Sequence, residues 1–366
     1  MTKSTKKVIR FAGAIVAYLI GSGFASGQEV MQFFTSYGPV WGTVGALLTA
    51  SVMVCIAALV AMDARKLKLK DANAIFRYYC GNVLGRFFEW LMPLFLLGIY
   101  VIMLSGASSL LNEYYGLPQW AGRTLMLLLS LGTVLLGLEK LTDIIGRIGP
   151  VIIFMALLVS VGCLVQNPQG IAQAAATYQT YDMAKATPFW WLSGINYATF
   201  CSFTLMPFLA GIGGMFDSDA ECKRGGALGS LAFSLTALMV SLGISAYLPV
   251  LHDKAVPTVY MADKLVSGFG VVYSLVMLAG IYTTAAPMLW AVANKLEHED
   301  KSRKFKVIAL VLAAVSYVGG RLPFAQLINI IYPYMGYFGM VVCAAVLLKH
   351  FLAKHGAKAG TLEEKH

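Results

Sequence analysis

The chain has 366 residues and a formal net charge of +10, but only 13% of its residues are charged and 58% are hydrophobic. Soluble domains carry about 25% charged residues, so this composition and the mean hydropathy of +0.71 exclude a water-soluble protein and indicate an integral membrane protein. The six cysteines form no CxxC pair, so we expect free thiols and no structural metal.

Apolar segments of membrane-spanning length recur along the chain. With no water in the bilayer core, they must be helices, because strands would need a closed barrel and a period-two alternation that the sequence lacks. We predict an all-α integral membrane protein with about ten transmembrane helices. The predicted spans cover 8–37, 38–63, 87–111, 120–138, 144–165, 187–216, 224–249, 265–293, 306–320 and 325–349.

The basic residues predict the orientation of these spans. If the N-terminus is cytoplasmic, all but five of the 28 lysines and arginines fall in cytoplasmic segments, as the positive-inside rule requires. The five exceptions are Arg123, Lys185, Lys254, Lys264 and Arg321. The pattern favours an even number of spans and two cytoplasmic termini, and it explains the positive charge without nucleic acid. No linker divides the chain, so we expect one transmembrane domain over 1–366, with a cytoplasmic tail over about 350–366.

The first span contains the unusual stretch IGSGFASGQE, from Ile20 to Glu29. Its glycines and serines are poor helix formers, so we predict a break, with the outer half-helix starting around Gly23 to Ser26. The free N–H groups of such a half-helix suit a carboxylate. The alternative is an unbroken helix in which Gly23 and Gly27 form a packing face.

Glu29 is the only acidic residue that we place well inside a predicted span. An intramembrane carboxylate indicates function by default. Glu29 could bind a substrate amine, coordinate a cation, carry a proton or take part in an external gate. A structural hydrogen bond to a neighbouring helix is the remaining alternative.

The sixth span also mixes small and polar residues, from Trp190 to Ser202, and we predict a second break near Ala198. Five spans separate the two breaks, so the second half of the chain would enter the membrane with opposite polarity. Matching broken helices in two antiparallel halves are typical of secondary transporters built from inverted repeats. The repeats would cover about 8–165 and 187–349, and Asn196 and Thr199 are the best candidates to line the substrate site.

The eighth span carries a candidate ion site. Gly280, Thr283 and Thr284 lie three and four residues apart and share one helix face. Two hydroxyls and a carbonyl are suitable ligands for a small cation, although such hydroxyls often bond back to their own helix. Sodium coupling, proton coupling and mere packing all remain open.

The number of spans, GSGFASGQE in the first and GINYATFCS in the sixth together resemble a known family. Over about 8–350 the chain is similar to the amino acid–polyamine–organocation superfamily with its LeuT-type five-plus-five fold, and more narrowly to the YkvI-like bacterial membrane proteins. The resemblance implies that the amides of Ser22, Gly23 and Phe24 hold a substrate carboxylate.

The same resemblance implies further site residues. A sodium ion would join the eighth-span group to the carbonyls of Ala17 and Ile20. Tyr100, in the third span, loosely resembles a tyrosine that lines the family's substrate site; an ordinary packing tyrosine is the alternative.

These observations predict a secondary active transporter of a small carboxylate-bearing solute, an amino acid, in the bacterial cytoplasmic membrane. It would work by Na⁺- or H⁺-coupled alternating access, with the substrate and the lipid bilayer as partners and no cofactor beyond a sodium ion. The alternative is a sensor that binds a small molecule on a transporter-like fold without transporting it. An enzyme is not expected, since the spans lack HExxH, GxSxG and P-loop motifs.

Overall fold

The computed structural model describes residues 3–69, 71–136, 142–299 and 302–363. These residues form fifteen α-helices and no β-strand. In chain order the helices are α1 (Lys3–Leu19), α2 (Ser22–Ser26), α3 (Gln28–Phe33), α4 (Gly38–Leu67), α5 (Ile75–Tyr115), α6 (Gln119–Leu136), α7 (Thr142–Gln166), α8 (Gln169–Thr177), α9 (Trp190–Ile212), α10 (Asp219–Ala246), α11 (Leu248–Leu251), α12 (Pro257–Leu265), α13 (Phe269–Leu296), α14 (Arg303–Gly319) and α15 (Phe324–Glu363).

Eight helices in the described part of the chain are long and apolar enough to cross a membrane. Two more, α1 and α14, have 17 residues each, and at 1.5 Å per residue each extends about 25 Å. Helix α1 overlaps the first part of the first predicted span, and α14 overlaps the ninth. The all-α membrane architecture is therefore confirmed, while the number of ten spans stays a prediction. The predicted tail, 350–366, continues α15 up to Glu363, and residues 364–366 lie outside the described residues.

The break predicted in the first span is present. Helix α1 ends at Leu19 and α2 begins at Ser22, with Ile20 and Gly21 non-helical between them. A second irregularity separates α2 from α3 at Gly27, whose φ of 79° lies in the left-handed region that favours glycine. The first span is thus a helix followed by two short helical pieces.

The break predicted in the sixth span is absent, and that part of the prediction is wrong. Helix α9 runs without interruption from Trp190 to Ile212. Its small residues serve close packing instead: a Cβ on Gly194 would stand 2.6 Å from the Gly45 carbonyl of α4. The Thr49 hydroxyl donates to the Gly194 carbonyl at 2.8 Å. A helix can therefore be rich in small residues because its neighbours approach closely.

Helix α12 covers the outer part of the broken helix. The Thr258 hydroxyl donates to the Ala25 carbonyl at 2.6 Å, and the Tyr273 hydroxyl of α13 donates to the same carbonyl at 2.9 Å. A Cβ on Gly27 would stand 2.9 Å from the Thr258 side chain. These contacts fix α2 against two helices from the second half of the chain.

At the opposite, predicted cytoplasmic, end, ion pairs tie α1 and α4 to the α9–α10 connection and the start of α10. Lys7 of α1 lies 2.5 Å from Asp217, and Arg65 of α4 lies 2.6 Å from Asp219. The broken segment thus lies between a contact layer at α12 and a charged layer at the α9–α10 connection.

A candidate substrate site at the break in the first span

A cavity of about 40 Å³ adjoins the break. Five parts of the chain line it: the first span, α5, α9, α13 and α15. Its apolar walls include Leu96 and Met103 of α5 and Met288 of α13. The side chains with polar groups in its lining are Tyr18, Glu29, Cys201, Thr204, Thr284 and Tyr332.

The start of α2 supplies backbone N–H groups at the break. Its first helical hydrogen bond runs from the Ala25 amide to the Gly21 carbonyl at 2.9 Å, and no side chain caps the helix. The amides of Ser22, Gly23 and Phe24 precede that bond, so they have no partner within α2. Gly21 lines the cavity while Ser22, Gly23 and Phe24 do not, so the binding of a carboxylate by these three amides stays a prediction.

The side chains of Ser22 and Phe24 do not take part in the cavity wall. The Phe24 ring is fully buried against Phe233 of α10, with ring centroids 5.0 Å apart. The Ser22 hydroxyl is buried without a hydrogen-bond partner, close to Gly106 of α5. Any contribution of these residues to the site comes through the backbone.

Glu29 lies in the cavity wall with only 3% of its surface exposed. One carboxylate oxygen, Oε1, accepts a hydrogen bond of 2.7 Å from the Tyr197 hydroxyl of α9. The other, Oε2, lies so close to Gly23 that a Cβ on this glycine would overlap it. None of the ion pairs among the described residues includes Glu29. The carboxylate therefore reaches back from α3 to the first turn of α2.

Asn196 and Thr199 lie away from the cavity, against α15. The Asn196 amide donates to the Pro333 carbonyl at 3.0 Å. The Thr199 hydroxyl lies 2.8 Å from the Gly336 carbonyl and also bonds within α9. These contacts hold α9 against α15, and they give both residues a packing role that the sequence did not indicate.

Tyr100 also points elsewhere. Its hydroxyl lies 2.9 Å from the Ser130 hydroxyl of α6, and its side chain is fully buried. Ile99 and Met103, its neighbours on α5, line the cavity instead. In this structure Tyr100 is therefore a buried packing residue with a paired hydroxyl, which is the alternative to a residue that lines the substrate site.

The eighth-span group is helical and partly turned to the cavity. The hydroxyls of Thr283 and Thr284 both donate to the Gly280 carbonyl at 3.0 Å, which is the back-bonding common in membrane helices. Thr284 also lines the cavity, together with Leu19 and Gly21 beside the break. Of this group, Thr284 therefore lines the same cavity as the residues beside the break, which the resemblance places near a sodium ion.

The two carbonyl residues of that predicted sodium site occupy different surroundings. Ala17 is in the last turn of α1 and packs tightly on Gly149 of α7, while Ile20 is non-helical and buried within the break. No cluster of three or more His, Cys, Asp or Glu that could hold a metal occurs among the described residues. A sodium ion held by oxygen ligands stays a prediction.

Helical periodicity explains which sixth-span residues reach the cavity. Tyr197, Cys201 and Thr204 lie four and three residues apart on one face of α9, and the last two line the cavity. Asn196 and Thr199 belong to the face that packs on α15. The sequence does not separate these two faces, because it predicts a break near Ala198, and an interrupted helix would not keep one continuous face.

Aromatic contacts enclose the cavity on two sides. Tyr332 of α15 stacks on Phe200 of α9, with centroids 4.4 Å apart. Tyr18 stacks on Phe208 at 4.4 Å and donates its hydroxyl hydrogen to the Thr204 carbonyl at 3.0 Å. Tyr18 is a cavity residue that sequence reasoning missed, since a tyrosine in an apolar run carries no distinguishing signal.

The chain is similar in sequence to two uncharacterized proteins of Bacillus subtilis (strain 168), and no family model matches it. It is 22% identical over 350 residues to the membrane protein YkvI, covering 95% of this chain and 98% of YkvI. It is 20% identical over 341 residues to YyaD, covering 93% and 96%.

Solved transporter structures share its fold. MhsT in complex with L-phenylalanine superposes with a TM-score of 0.64 at 14% identity, over 93% of this chain and 88% of MhsT. A Na⁺-coupled sialic acid symporter gives 0.57 at 14% identity, over 93% and 78%. A manganese transporter of Eremococcus coleocola gives 0.54 at 16% identity, over 95% and 80%.

These comparisons agree with the expectation of a membrane protein, since YkvI is described as a membrane protein and the superposed structures include a transporter and a symporter. At such identities a superposition shows the fold alone. The chain is a multi-pass membrane protein with the LeuT-type fold, and its predicted resemblance to YkvI is confirmed.

Proposed function

We propose that the chain is a secondary active transporter of a small carboxylate-bearing solute, an amino acid, driven by Na⁺ or H⁺ through alternating access. It would lie in the bacterial cytoplasmic membrane with both termini in the cytoplasm. One observation carries the proposal: the break at Ile20–Gly21 opens onto a cavity that also holds the buried carboxylate of Glu29.

The break makes binding of a solute favourable. Unpaired backbone groups inside a membrane protein cost several kcal/mol each unless something satisfies them. We infer that the amides of Ser22, Gly23 and Phe24, the first three of α2, donate to a carboxylate of the solute. A neutral solute without an acceptor would leave these amides unpaired.

The ligands of two of the three superposed proteins support this solute class; the third is a manganese transporter. L-phenylalanine, bound in MhsT, and sialic acid, the substrate of the symporter, both carry a carboxylate. The symporter is coupled to Na⁺, which agrees with the sodium site proposed between Thr284 and the break. Proton coupling through Glu29 is the other route that the site offers.

Alternating access requires the cavity to open first to one side and then to the other. The Phe200–Tyr332 stack and the Glu29–Tyr197 hydrogen bond lie on the side of α3. The Tyr18 contacts with Phe208 and Thr204 lie on the side of α1. We infer that α1 and α2 move relative to each other about the non-helical Ile20–Gly21 pair as the cavity opens to one side or the other.

A ligand screen tests the proposal. Purified protein is heated with each of the twenty proteinogenic amino acids, with and without Na⁺, because a ligand that binds the folded state raises its melting temperature. We expect one or a few amino acids to stabilise the protein, and a shift seen only in Na⁺ would identify the coupling ion. No shift with any of the twenty would refute the amino-acid assignment.

A further inference from the structure

The charge of the cavity lining is unbalanced. Glu29 is the only charged side chain among the described residues that line it. The other polar lining groups are neutral hydroxyls or a thiol, from Tyr18, Cys201, Thr204, Thr284 and Tyr332. The site therefore holds one potential negative charge and no fixed positive charge.

The surroundings of Glu29 do not neutralise it. Its one hydrogen-bond donor is the neutral hydroxyl of Tyr197 at 2.7 Å. The other neighbours are Gly23 of α2, on which Oε2 rests, and the Tyr332 ring of α15, which approaches the same glycine. A buried carboxylate is costly unless a cationic group or a proton accompanies it. Glu29 thus leaves room for a positive partner that the protein itself does not provide.

The position of Glu29 suits a positive partner that belongs to the solute. Because Oε2 lies on Gly23, the carboxylate is next to the amides proposed to bind the solute's own carboxylate. Two carboxylates in a cavity of about 40 Å³ would repel each other strongly at low dielectric. An α-amino acid avoids this repulsion, since its ammonium group is attached to the carbon that bears its carboxylate.

We propose that Glu29 is the specificity-determining residue of the site and makes a cationic nitrogen on the solute obligatory. This inference rests on the proposed function and assigns the residue that selects its substrate: because of Glu29, amino acids bind and carboxylic acids without an amine are rejected. The amine pairs with Glu29, and Tyr197 holds the carboxylate in place to receive it.

The test compares three related ligands in three proteins. Each of the twenty amino acids is assayed beside the amine left by removing its carboxylate and the acid left by removing its amine. Thermal shift and isothermal titration calorimetry are run on the full-length wild type, on Glu29→Gln and on Glu89→Gln. Glu89 is a matched control, a carboxylate 7% exposed that pairs with Arg77 of α5 and lies outside the cavity.

We expect the wild type to bind an amino acid at least tenfold more tightly than the matching acid. In Glu29→Gln the affinity for the amino acid should fall about tenfold to a hundredfold, because a charge-assisted hydrogen bond is lost. The affinity for the matching acid should rise, because the repulsion between two carboxylates is removed. Glu89→Gln should keep the wild-type preference. A wild type that binds acid and amino acid equally, or a Glu29→Gln variant that still requires the amine, would overturn the inference.

Other outcomes separate this inference from the function on which it rests. If the amine alone stabilises the wild type but not Glu29→Gln, the role of Glu29 stands and the carboxylate assignment fails. If none of the twenty amino acids binds, both fail together. Should Glu29→Gln not fold, Tyr197→Phe tests the same point: it keeps the charge of Glu29, so it must retain the amine requirement despite weaker binding.

Discussion

The contact between Gly23 and Glu29 yields the sharpest prediction of the site geometry. In Gly23→Ala the new Cβ would overlap Glu29 Oε2 and stand 3.2 Å from both Glu29 Cδ and Tyr332 Cε2. The carboxylate must shift to make room, and we expect this shift to disrupt the 2.7 Å hydrogen bond from Tyr197 to its other oxygen, Oε1. A hydrogen bond to a charged group is worth about 1.5–3 kcal/mol, so affinity for the amino acid should fall about 10- to 150-fold.

Titration calorimetry with the amino acid found in the screen measures this loss. Gly132→Ala is the matched control, because a Cβ at Gly132 of α6 would meet nothing within 4 Å. That control should keep the wild-type dissociation constant and gain up to about 1 kcal/mol of stability from better helix propensity. Wild-type affinity in Gly23→Ala would refute the placement of Glu29 against the first turn of α2.

Three further variants separate binding from packing. Tyr197→Phe removes the hydroxyl that holds Glu29 and should weaken amino-acid binding about tenfold in calorimetry. Asn196→Ala removes the bond to Pro333 and should lower the free energy of unfolding by about 1–3 kcal/mol, measured in denaturant, with no change in affinity. Thr284→Ala should raise the Na⁺ concentration needed for half-maximal binding if sodium is the coupling ion; an unchanged Na⁺ dependence would remove Thr284 from the ion site.

The sequence predicted the first break correctly because its signal is local. Five of the seven residues from Gly21 to Gly27 are glycine or serine, which extend a helix only at a cost. The break itself lies at Ile20 and Gly21, slightly before the predicted start of the outer half-helix. Composition indicates that the helix breaks within or beside such a stretch, while the residue at which it breaks depends on the neighbouring helices.

The sixth span shows the opposite case. Its small residues are as numerous as those of a broken helix, but Gly194 provides clearance for Gly45 of another helix. Such contacts join residues more than a hundred positions apart, and inspection of one sequence does not show which residues will meet. For the same reason, the hydrogen bond between Tyr197 and Glu29, which are 168 residues apart, could not be predicted from the sequence.

Glu29 could be selected from the sequence as a candidate because a carboxylate within an apolar span is costly whichever helices surround it. The structure places it in the cavity wall, and its role stays a prediction. Tyr100 and Asn196 carried no comparable cost, and both make packing contacts away from the cavity.

Uptake into liposomes tests the central claim most directly. Proteoliposomes containing the full chain are given a mixture of the twenty amino acids under an imposed Na⁺ or H⁺ gradient. The site at the break predicts gradient-driven accumulation of at least one amino acid, and its loss in Gly23→Leu, whose side chain would displace Glu29. Binding of an amino acid without accumulation under either gradient would contradict transport and favour a sensor built on the same fold.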